Sequence, residues 1–248
     1  MTDQIRRLQR IVCLALAVGL GAWATSAAAD VATELSERLS KNIPGLQVTN
    51  VRESKAPGLY EIETSTGETI YATPDGEFLL TGDLLQITPS GIANVTEAGR
   101  ADRRVNIMNS FGKEGAIHYP AKGEQKAEIA IFTDIDCPYC RKLHDEMSRL
   151  NELGIAVNYF AFPRSGPGTP SFKKYEAVWC SDDQQAAMDA AKGGRQVAAK
   201  SCENPVGKQF ELGGRVGVTG TPAIILEDGK MVRGYVPADK FAEGLGLL

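Results

Sequence analysis

Residues 127–153 read AEIAIFTDIDCPYCRKLHDEMSRLNEL, and this stretch decides the fold. Its first seven residues are mostly apolar and predict a strand, while a helix is expected to begin at the CPYC motif of residues 137–140 and to run to the end of the stretch. Gly154 ends that helix, and residues 155–162 predict a second strand. Because a strand–helix–strand unit of this length implies a crossover connection, the two strands are expected to be parallel.

The residues that follow complete a mixed α/β domain. A helical segment is expected around residues 172–212. A β-hairpin is expected next, in which residues 223–226 (AIIL) turn at Asp228-Gly229 into Met231-Val232. The chain is expected to end in a helix at 237–246. Residues 119–248 are therefore predicted to form one domain.

The CPYC motif carries the chemistry. Cys137 is expected at the start of the helix, where unpaired backbone N–H groups and the helix dipole stabilise a thiolate near neutral pH. Pro138 suits a first-turn position because its missing N–H costs nothing there. A thiolate is the nucleophile of disulfide exchange, so Cys137 is expected to form a mixed disulfide that Cys140 then resolves. The motif therefore predicts a redox centre.

Zinc binding and an inert disulfide are the competing interpretations of this cysteine pair. A structural zinc site needs four ligands, usually from two closely spaced pairs, whereas Cys180 and Cys202 lie far apart in the sequence. A disulfide at a helix start would close a tight, strained loop that is readily reduced. We therefore expect a redox-active pair with no metal and no other cofactor.

The N-terminus has the pattern of a secretory signal peptide. Three arginines within residues 1–10 precede an apolar run at 11–22, and the small residues Ser26-Ala27-Ala28-Ala29 follow it. An uncleaved membrane anchor is the alternative, although the apolar run is short for a bilayer. We expect cleavage near Ala29, which also removes Cys13, so that residues 1–29 direct export.

Length, charge and cysteine content constrain the exported chain. Removing 29 residues from 248 leaves 219, which is enough for one or two domains. The formal net charge is −4, of which the signal segment contributes +2, so the remainder carries −6 and non-specific nucleic-acid binding is not expected. Without Cys13 four cysteines remain, and an even number in an exported protein indicates disulfides.

Two further regions precede the CPYC domain. Residues 30–90 predict a small α+β unit, with a helix at 30–42 followed by strands and turns. A unit of this size is marginally stable alone, which favours an additional interface such as a dimer. Within a connecting segment at 91–118, residues 95–111 predict an exposed spacer helix that ends at Gly112. Packing as an ordinary domain helix is the alternative.

These motifs together resemble the DsbC/DsbG family of thioredoxin-like periplasmic disulfide isomerases. The resemblance is carried by residues 132–144 (FTDIDCPYCRKLH), 161–164 (AFPR), 178–180 (VWC) and 217–222 (GVTGTP). It covers essentially the whole exported chain. It implies an α+β architecture with a small cystatin-like N-terminal dimerisation domain, a linker helix, and a C-terminal thioredoxin-like domain with a helical insertion. The implied assembly is a V-shaped homodimer in which two catalytic domains face a shared cleft.

The resemblance also implies site roles and partners. Thr221-Pro222 would form a cis-proline loop beside Cys137, where the substrate backbone can pair. Cys180 and Cys202 would form a structural disulfide, with a second redox pair as the alternative. The substrates would be misoxidised exported proteins, and an inner-membrane DsbD-type thiol reductase would supply the electrons that keep Cys137 reduced.

Several interpretations stay open. Pro138-Tyr139 also occurs in the DsbG branch, so a thiol reductase or a dimeric chaperone of exported proteins is the alternative to a disulfide isomerase. We expect Asp136 to cap the helix, the alternative being that its charge raises the pKa of Cys137. His144 is expected on the solvated helix surface rather than tuning the thiols, and Trp179 is expected in the core.

Overall fold

The structure is a computed structural model that describes residues 21–248, with side chains described from residue 30 onward. Most of the expected signal peptide, including Cys13, lies outside the described residues. The chain divides into two compact units, one reaching to Leu84 and the other spanning Leu85–Leu248. In the described part of the chain, no helix combines the length and the apolar character that crossing a bilayer requires.

The N-terminal unit is a helix followed by a four-stranded antiparallel sheet. Helix α1 spans Gly21–Asn42, so it begins earlier than the predicted helix at 30–42. Leu35 and Leu39, four residues apart, are buried because they form the apolar stripe that packs on the sheet. The strands, paired in this order, are β1 (Val48–Glu53), β2 (Tyr60–Thr64), β3 (Thr69–Ala72) and β4 (Leu79–Thr81).

The second unit opens with a hairpin, β5 (Leu85–Thr88) and β6 (Gly91–Asn94), and helix α2 (Val95–Phe111). A five-stranded sheet follows, in the order β11-β10-β8-β9-β7. Its strands are β7 (Ile117–Tyr119), β8 (Ala127–Thr133), β9 (Ile155–Ala161), β10 (Ala223–Ile225) and β11 (Met231–Arg233). Around it lie α3 (Pro138–Asp145), α4 (Met147–Glu152), α5 (Pro170–Trp179), α6 (Gln184–Lys192), α7 (Val206–Arg215) and α8 (Ala238–Gly244).

The sheet register brings the two main sequence motifs together. Strands β8 and β9 pair in parallel, as the crossover predicted, with Ala127 opposite Ile155. Strand β10 pairs antiparallel with β11, as the hairpin predicted, and also antiparallel with β8, where Ala223 lies opposite Phe132. The end of β8 and the start of β10 therefore lie side by side at the same end of the sheet. The CPYC motif follows the former, and Thr221-Pro222 precedes the latter.

Two segments predicted as continuous helices are interrupted. The helix expected from the CPYC motif divides at Glu146, whose carboxylate accepts hydrogen bonds from the Ala238 N–H at 2.5 Å and from the Tyr235 hydroxyl. The segment expected to be helical at 172–212 forms α5, α6 and α7 separately, and Gly193-Gly194 follows the end of α6. In the first segment, a contact with residues distant in the sequence interrupts the predicted helix. In the second segment, a glycine pair interrupts it.

Helix α2 packs one face onto the rest of the second unit. Arg104 is buried, and its guanidinium donates to the carbonyl oxygens of Val216 at 3.1 Å and Gly229 at 3.0 Å. Glu97 balances the charge of Arg104 at 2.6 Å. The expectation of an exposed spacer does not hold for this face, and the alternative of a packed domain helix describes it. The charge-rich sequence did not reveal the packed face, because one of its arginines, Arg104, points inward and binds backbone carbonyl oxygens.

Candidate active site

Cys137 lies at the N-terminus of helix α3, a short turn after strand β8. It is the N-cap residue, with φ −82° and ψ 122°, and Pro138 occupies the first turn. The residue is only 2% exposed, and its thiol donates to the carbonyl oxygen of Thr221 at 3.3 Å. The sulfur therefore lies at the end of the helix where backbone N–H groups have no intrahelical acceptor.

The pKa of Cys137 is lowered despite its burial. Burial alone raises the pKa of a thiol because the thiolate is poorly solvated. Hydrogen bonds outweigh this effect: the Cys140 backbone, the side chains of Thr221 and Cys140, and the Tyr139 backbone stabilise the thiolate and hold the pKa below its ordinary value. Cys137 is thus the more readily ionised thiol of the pair, as a nucleophile must be.

Cys140 lies deeper, in the first turn of the same helix. It has no exposed surface, and the Asp134 backbone N–H donates to its sulfur at 3.4 Å. Burial raises the pKa of Cys140, an effect that the charge of Lys192 and hydrogen bonds from the Asp134 backbone and the Thr221 and Thr133 side chains only partly offset. Cys140 therefore stays a thiol under conditions in which Cys137 ionises.

Thr221 and Pro222 lie beside Cys137. The peptide bond between them is cis, and strand β10 begins directly after them at Ala223. Among the described residues, the buried Thr221 hydroxyl has no hydrogen-bond partner while both sulfurs are thiols. The hydroxyl lowers the pKa of both cysteines, because a hydroxyl donates to a thiolate. The loop therefore provides an acceptor for the Cys137 thiol, the Thr221 carbonyl oxygen, and a donor for the Cys137 thiolate, the Thr221 hydroxyl.

Asp136 does not cap the helix, so that prediction is wrong. Helix α3 has Cys137 as its N-cap and no side-chain capping bond. The Asp136 carboxylate instead accepts from Lys174 Nζ at 2.6 Å and lies 3.6 Å from the Arg141 guanidinium. Burial opposes ionisation, but the bond to Lys174, with Ser171 and Arg141, lowers the pKa of Asp136. Helix α5 therefore supplies the partner that the local sequence did not reveal.

His144 lies inside the domain, so the expected solvated position is also wrong. Its side chain is 10% exposed, with Nε2 3.1 Å from the Asp189 carboxylate and Nδ1 3.2 Å from the Tyr159 hydroxyl. Burial and the charge of Lys192 lower the pKa of His144, against the opposing effect of Asp189. Trp179 is buried in the core, as predicted.

Sequence reasoning missed two charged residues beneath the thiols. The buried Asp134 carboxylate accepts from Arg164 Nε at 2.9 Å and from the Arg164 backbone N–H at 3.1 Å. Lys192 is buried at the end of α6, where its Nζ donates to the Thr133 hydroxyl at 2.6 Å and to the Asp134 carbonyl at 2.9 Å. One signal was present: Lys192 follows the buried Met188 by four residues, on the same helix face.

The remaining cysteines form a disulfide between Cys180 and Cys202, with a Cα–Cα distance of 5.7 Å and a sequence separation of 22. Cys180 follows the last residue of α5, and Cys202 lies in the segment before α7, so the bond closes the segment that contains α6. Cys137 and Cys140 are free thiols. Between residues 21 and 248, no three His, Cys, Asp or Glu side chains are grouped so that they could hold a metal ion.

Comparison with known proteins assigns both parts of the chain. A family model described as the disulfide bond isomerase protein N-terminal domain matches residues 24–97, and one described as a thioredoxin-like domain matches residues 116–247. The thiol:disulfide interchange protein DsbC of Dickeya dadantii is 39% identical over 193 residues, 78% of each chain. DsbC of Escherichia coli K12 is 34% identical over 226 residues, 91% of this chain and 92% of that protein. A disulfide interchange protein crystal structure from Neisseria gonorrhoeae is 30% identical, with a TM-score of 0.49, over 54% of this chain and 96% of that one.

Proposed function

This chain belongs to the DsbC family of thiol:disulfide interchange proteins and is a disulfide isomerase, and from that premise we propose that Cys137 attacks client disulfides and Cys140 resolves the product. One observation carries the proposal. The Cys137 thiol lies at the N-terminus of α3, 3.3 Å from the Thr221 carbonyl, and hydrogen bonds lower its pKa, whereas deeper burial raises the pKa of Cys140. The two cysteines therefore differ in the way that two successive exchange steps require.

In the proposed cycle, the Cys137 thiolate attacks one sulfur of a non-native disulfide in an exported protein. A mixed disulfide forms, and the other client sulfur leaves with the electron pair as a thiolate. That thiolate attacks another disulfide sulfur of the client. A client thiolate finally attacks the client sulfur of the mixed disulfide and displaces Cys137, so no net electrons are transferred. When rearrangement stalls, the Cys140 thiolate attacks the Cys137 sulfur, and the client leaves reduced.

We infer that Thr221 and Pro222 hold the client backbone beside Cys137. The support is their position: the Thr221 carbonyl contacts the sulfur, and the loop leads directly into strand β10. We also propose that the Cys180–Cys202 disulfide is structural, because it closes the segment around α6 and leaves the thiols of the CPYC motif unpaired.

Trapping of the mixed disulfide tests these roles. A Cys140→Ser variant should accumulate a covalent client complex, because nothing expels a stalled client. A Cys137→Ser variant should form none, and Cys180→Ser/Cys202→Ser, which leaves the CPYC motif intact and creates no new free thiol, should trap no more than the wild type does. Non-reducing electrophoresis followed by mass spectrometry of the linked peptide reads the outcome. A complex linked through Cys140 in the Cys137→Ser variant would reverse the assignment.

We propose that the protein is a homodimer formed through residues 30–90. In the N-terminal unit, the edge strand β4 leaves Leu79 and Leu80 exposed, directly after the exposed Phe78. In the second unit, strand β5 exposes Leu85 and Ile87, which also lie within residues 30–90. Apolar edge strands are templates for pairing with another chain, and exposed apolar side chains favour its burial. A second copy of this chain is the proposed partner.

Sedimentation equilibrium tests the dimer. The wild type should sediment as a dimer, and Leu80→Asp should raise the dimer dissociation constant because it places a charge in the proposed interface. Leu248→Asp, at the exposed C-terminal residue, is the matched control and should leave the dimer unchanged. A monomeric wild-type protein at micromolar concentration would contradict the proposal.

We propose that residues 1–29 direct export to the periplasm and are cleaved near Ala29, which N-terminal mass spectrometry of the exported protein checks.

We further propose that an inner-membrane DsbD-type thiol reductase donates electrons to Cys137 and Cys140, because isomerisation begins from a thiolate. In cells without that reductase, Cys137 and Cys140 should be oxidised to a disulfide. Thiol alkylation detects this state, because a disulfide is not alkylated. A pair that stays reduced there would refute this partner.

A further inference from the structure

A groove of about 430 Å³ lies beside the CPYC motif and has no part in the cycle above. Asp136 and Arg141 line it at the start of helix α3, Lys173 and Lys174 line it from helix α5, and Arg195 lines it from the segment that follows α6. Its volume is within the usual range of ligand-binding clefts. The groove is therefore large enough to take several side chains of a bound polypeptide.

The fold holds the lining of this groove in place. The lining includes the buried apolar residues Ile135 and Ala177. The Arg195 backbone N–H donates to the Ala190 carbonyl oxygen at 2.8 Å, which fixes the start of the segment after α6. The Cys180–Cys202 disulfide closes the loop that carries this segment. The cationic side chains of the groove thus project from an ordered frame.

The groove is cationic although the chain as a whole is acidic. Its lining holds four cations and one carboxylate, a net charge of +3, whereas the formal net charge of the chain is −4. The carboxylate, that of Asp136, is already bound by Lys174 at 2.6 Å and lies 3.6 Å from Arg141. Lys173 and Arg195 are exposed, and no carboxylate among the described residues forms an ion pair with either. These two cations are free to bind an anionic ligand.

The position of the groove indicates that its ligand is part of a client protein. Asp136 directly precedes Cys137, and the Arg141 backbone N–H donates to the Cys137 carbonyl oxygen at 3.0 Å. A client that is linked to Cys137 therefore brings the residues around its own cysteine next to the groove. Because such a client is tethered, its side chains have a high effective concentration there. Before the link forms, a positive surface raises the encounter rate of an acidic segment.

We propose that this groove binds acidic side chains that flank the client cysteine attacked by Cys137, and that Lys173 and Arg195 determine this specificity. The inference rests on the proposed function, in which Cys137 is the attacking cysteine. Clients with aspartate or glutamate beside the cysteine react faster than neutral clients do. The net charge of the chain alone predicts the opposite order, because an acidic protein repels an acidic peptide.

Two matched peptides test the preference. Each carries one cysteine, flanked by aspartate and glutamate in the first peptide and by asparagine and glutamine in the second. The cysteine is joined by a disulfide to 5-thio-2-nitrobenzoate, whose coloured thiolate leaves with the electron pair when the Cys137 thiolate attacks the peptide sulfur. A Cys137–peptide disulfide forms, and its later reduction by Cys140 releases no further colour. The ratio of the two second-order rates therefore cancels any change in the reactivity of Cys137 itself.

At low ionic strength, the wild type should react about tenfold faster with the acidic peptide than with the amide peptide. This ratio should fall below about twofold in about 1 M salt, which screens the charges. Lys173→Glu/Arg195→Glu should abolish or reverse the preference, and Lys173→Gln/Arg195→Gln should reduce it. Lys126→Glu/Lys208→Glu makes the same change in total charge at exposed lysines outside the groove, so this matched control should keep most of the preference.

A wild-type ratio of one or less at low ionic strength overturns the proposal. Equal loss of the preference in the two Glu pairs overturns it too, because net charge would then explain the ratio. Should Lys173→Glu/Arg195→Glu fail to fold, the Gln pair decides, since an unchanged ratio in that pair also overturns the proposal. Colour release at the wild-type rate in Cys137→Ser refutes the attacking role of Cys137, and with it the proposed function, whatever the ratio of the two peptides.

Discussion

The Gly229 backbone approaches the Ala101 carbonyl oxygen of helix α2 so closely that a Cβ on residue 229 would lie 2.0 Å from that oxygen. Gly229 also has a φ of 78°, a conformation that residues with side chains rarely adopt. The Arg104 guanidinium donates to the carbonyl oxygen of the same glycine. The turn of the β10–β11 hairpin and helix α2 therefore meet at a point where only glycine fits.

Substitution of Gly229 should cost more than its backbone conformation alone explains. Gly229→Ala should lower the free energy of unfolding by about 1–3 kcal/mol beyond the backbone cost, because the new methyl group meets main-chain atoms that cannot rotate away. Gly234→Ala is the control, since Gly234 has a similar φ of 87° and no atom within 4 Å of an added Cβ. Equal losses for the two variants in urea unfolding would show that the contact with α2 is unimportant.

The Thr221 hydroxyl should stabilise the Cys137 thiolate. Thr221→Val should raise the pKa of Cys137, because a hydrogen bond to a charged group contributes about 1.5–3 kcal/mol. Thr221→Ser keeps the hydroxyl and should leave the pKa near its wild-type value. The ultraviolet absorbance of the thiolate against pH measures both. An unchanged pKa in Thr221→Val would assign the stabilisation to the backbone N–H groups and the Cys140 thiol.

Removal of the Cys180–Cys202 disulfide should cost stability and spare the chemistry. The two residues are 22 apart in sequence, and closing a loop of that length contributes about 3 kcal/mol in the chain-entropy model. The Cys180→Ser/Cys202→Ser double variant should lose about that much free energy of unfolding and still exchange disulfides while folded. Loss of exchange in the folded double variant would favour the alternative of a second redox pair.

His144 should make the protein sensitive to mild acid. Burial lowers its pKa, so below the unfolded value of about 6.5 the unfolded chain binds a proton that the folded chain does not. Stability is therefore fully present above pH about 6.5 and falls as the pH drops toward the folded pKa. His144→Gln should flatten the dependence of the unfolding free energy on pH in this window. An unchanged slope would show that His144 is not the responsible group.

The sequence predicted the backbone frame of the site better than its electrostatics. Three local features located the main elements. The apolar run of residues 127–133 located the first strand, the CPYC motif the helix start, and Gly154 the beginning of the next strand. Each is encoded by local periodicity or by turn residues. The family resemblance added the Thr221-Pro222 loop, which the antiparallel pairing of β10 with β8 brings to Cys137.

The polar partners came from segments distant in the sequence. Asp136 was expected to cap α3, yet Lys174 from α5 binds it. His144 was expected in solvent, yet Asp189 from α6 and Tyr159 from β9 enclose it. Periodicity tells which face of an element is buried, but it does not tell which charges a neighbouring element contributes. Lys192 shows this most clearly, since an isolated lysine in a helix ordinarily indicates solvent.

Recovery of an inactive client protein with scrambled disulfides tests the central claim most directly. The wild-type protein should restore client activity, Cys137→Ser should restore none, and Cys140→Ser should retain part of the recovery, because isomerisation itself needs only the attacking thiol. A wild-type protein that reduces the client without correcting its pairing would contradict the account, and the thiol-reductase alternative would take its place.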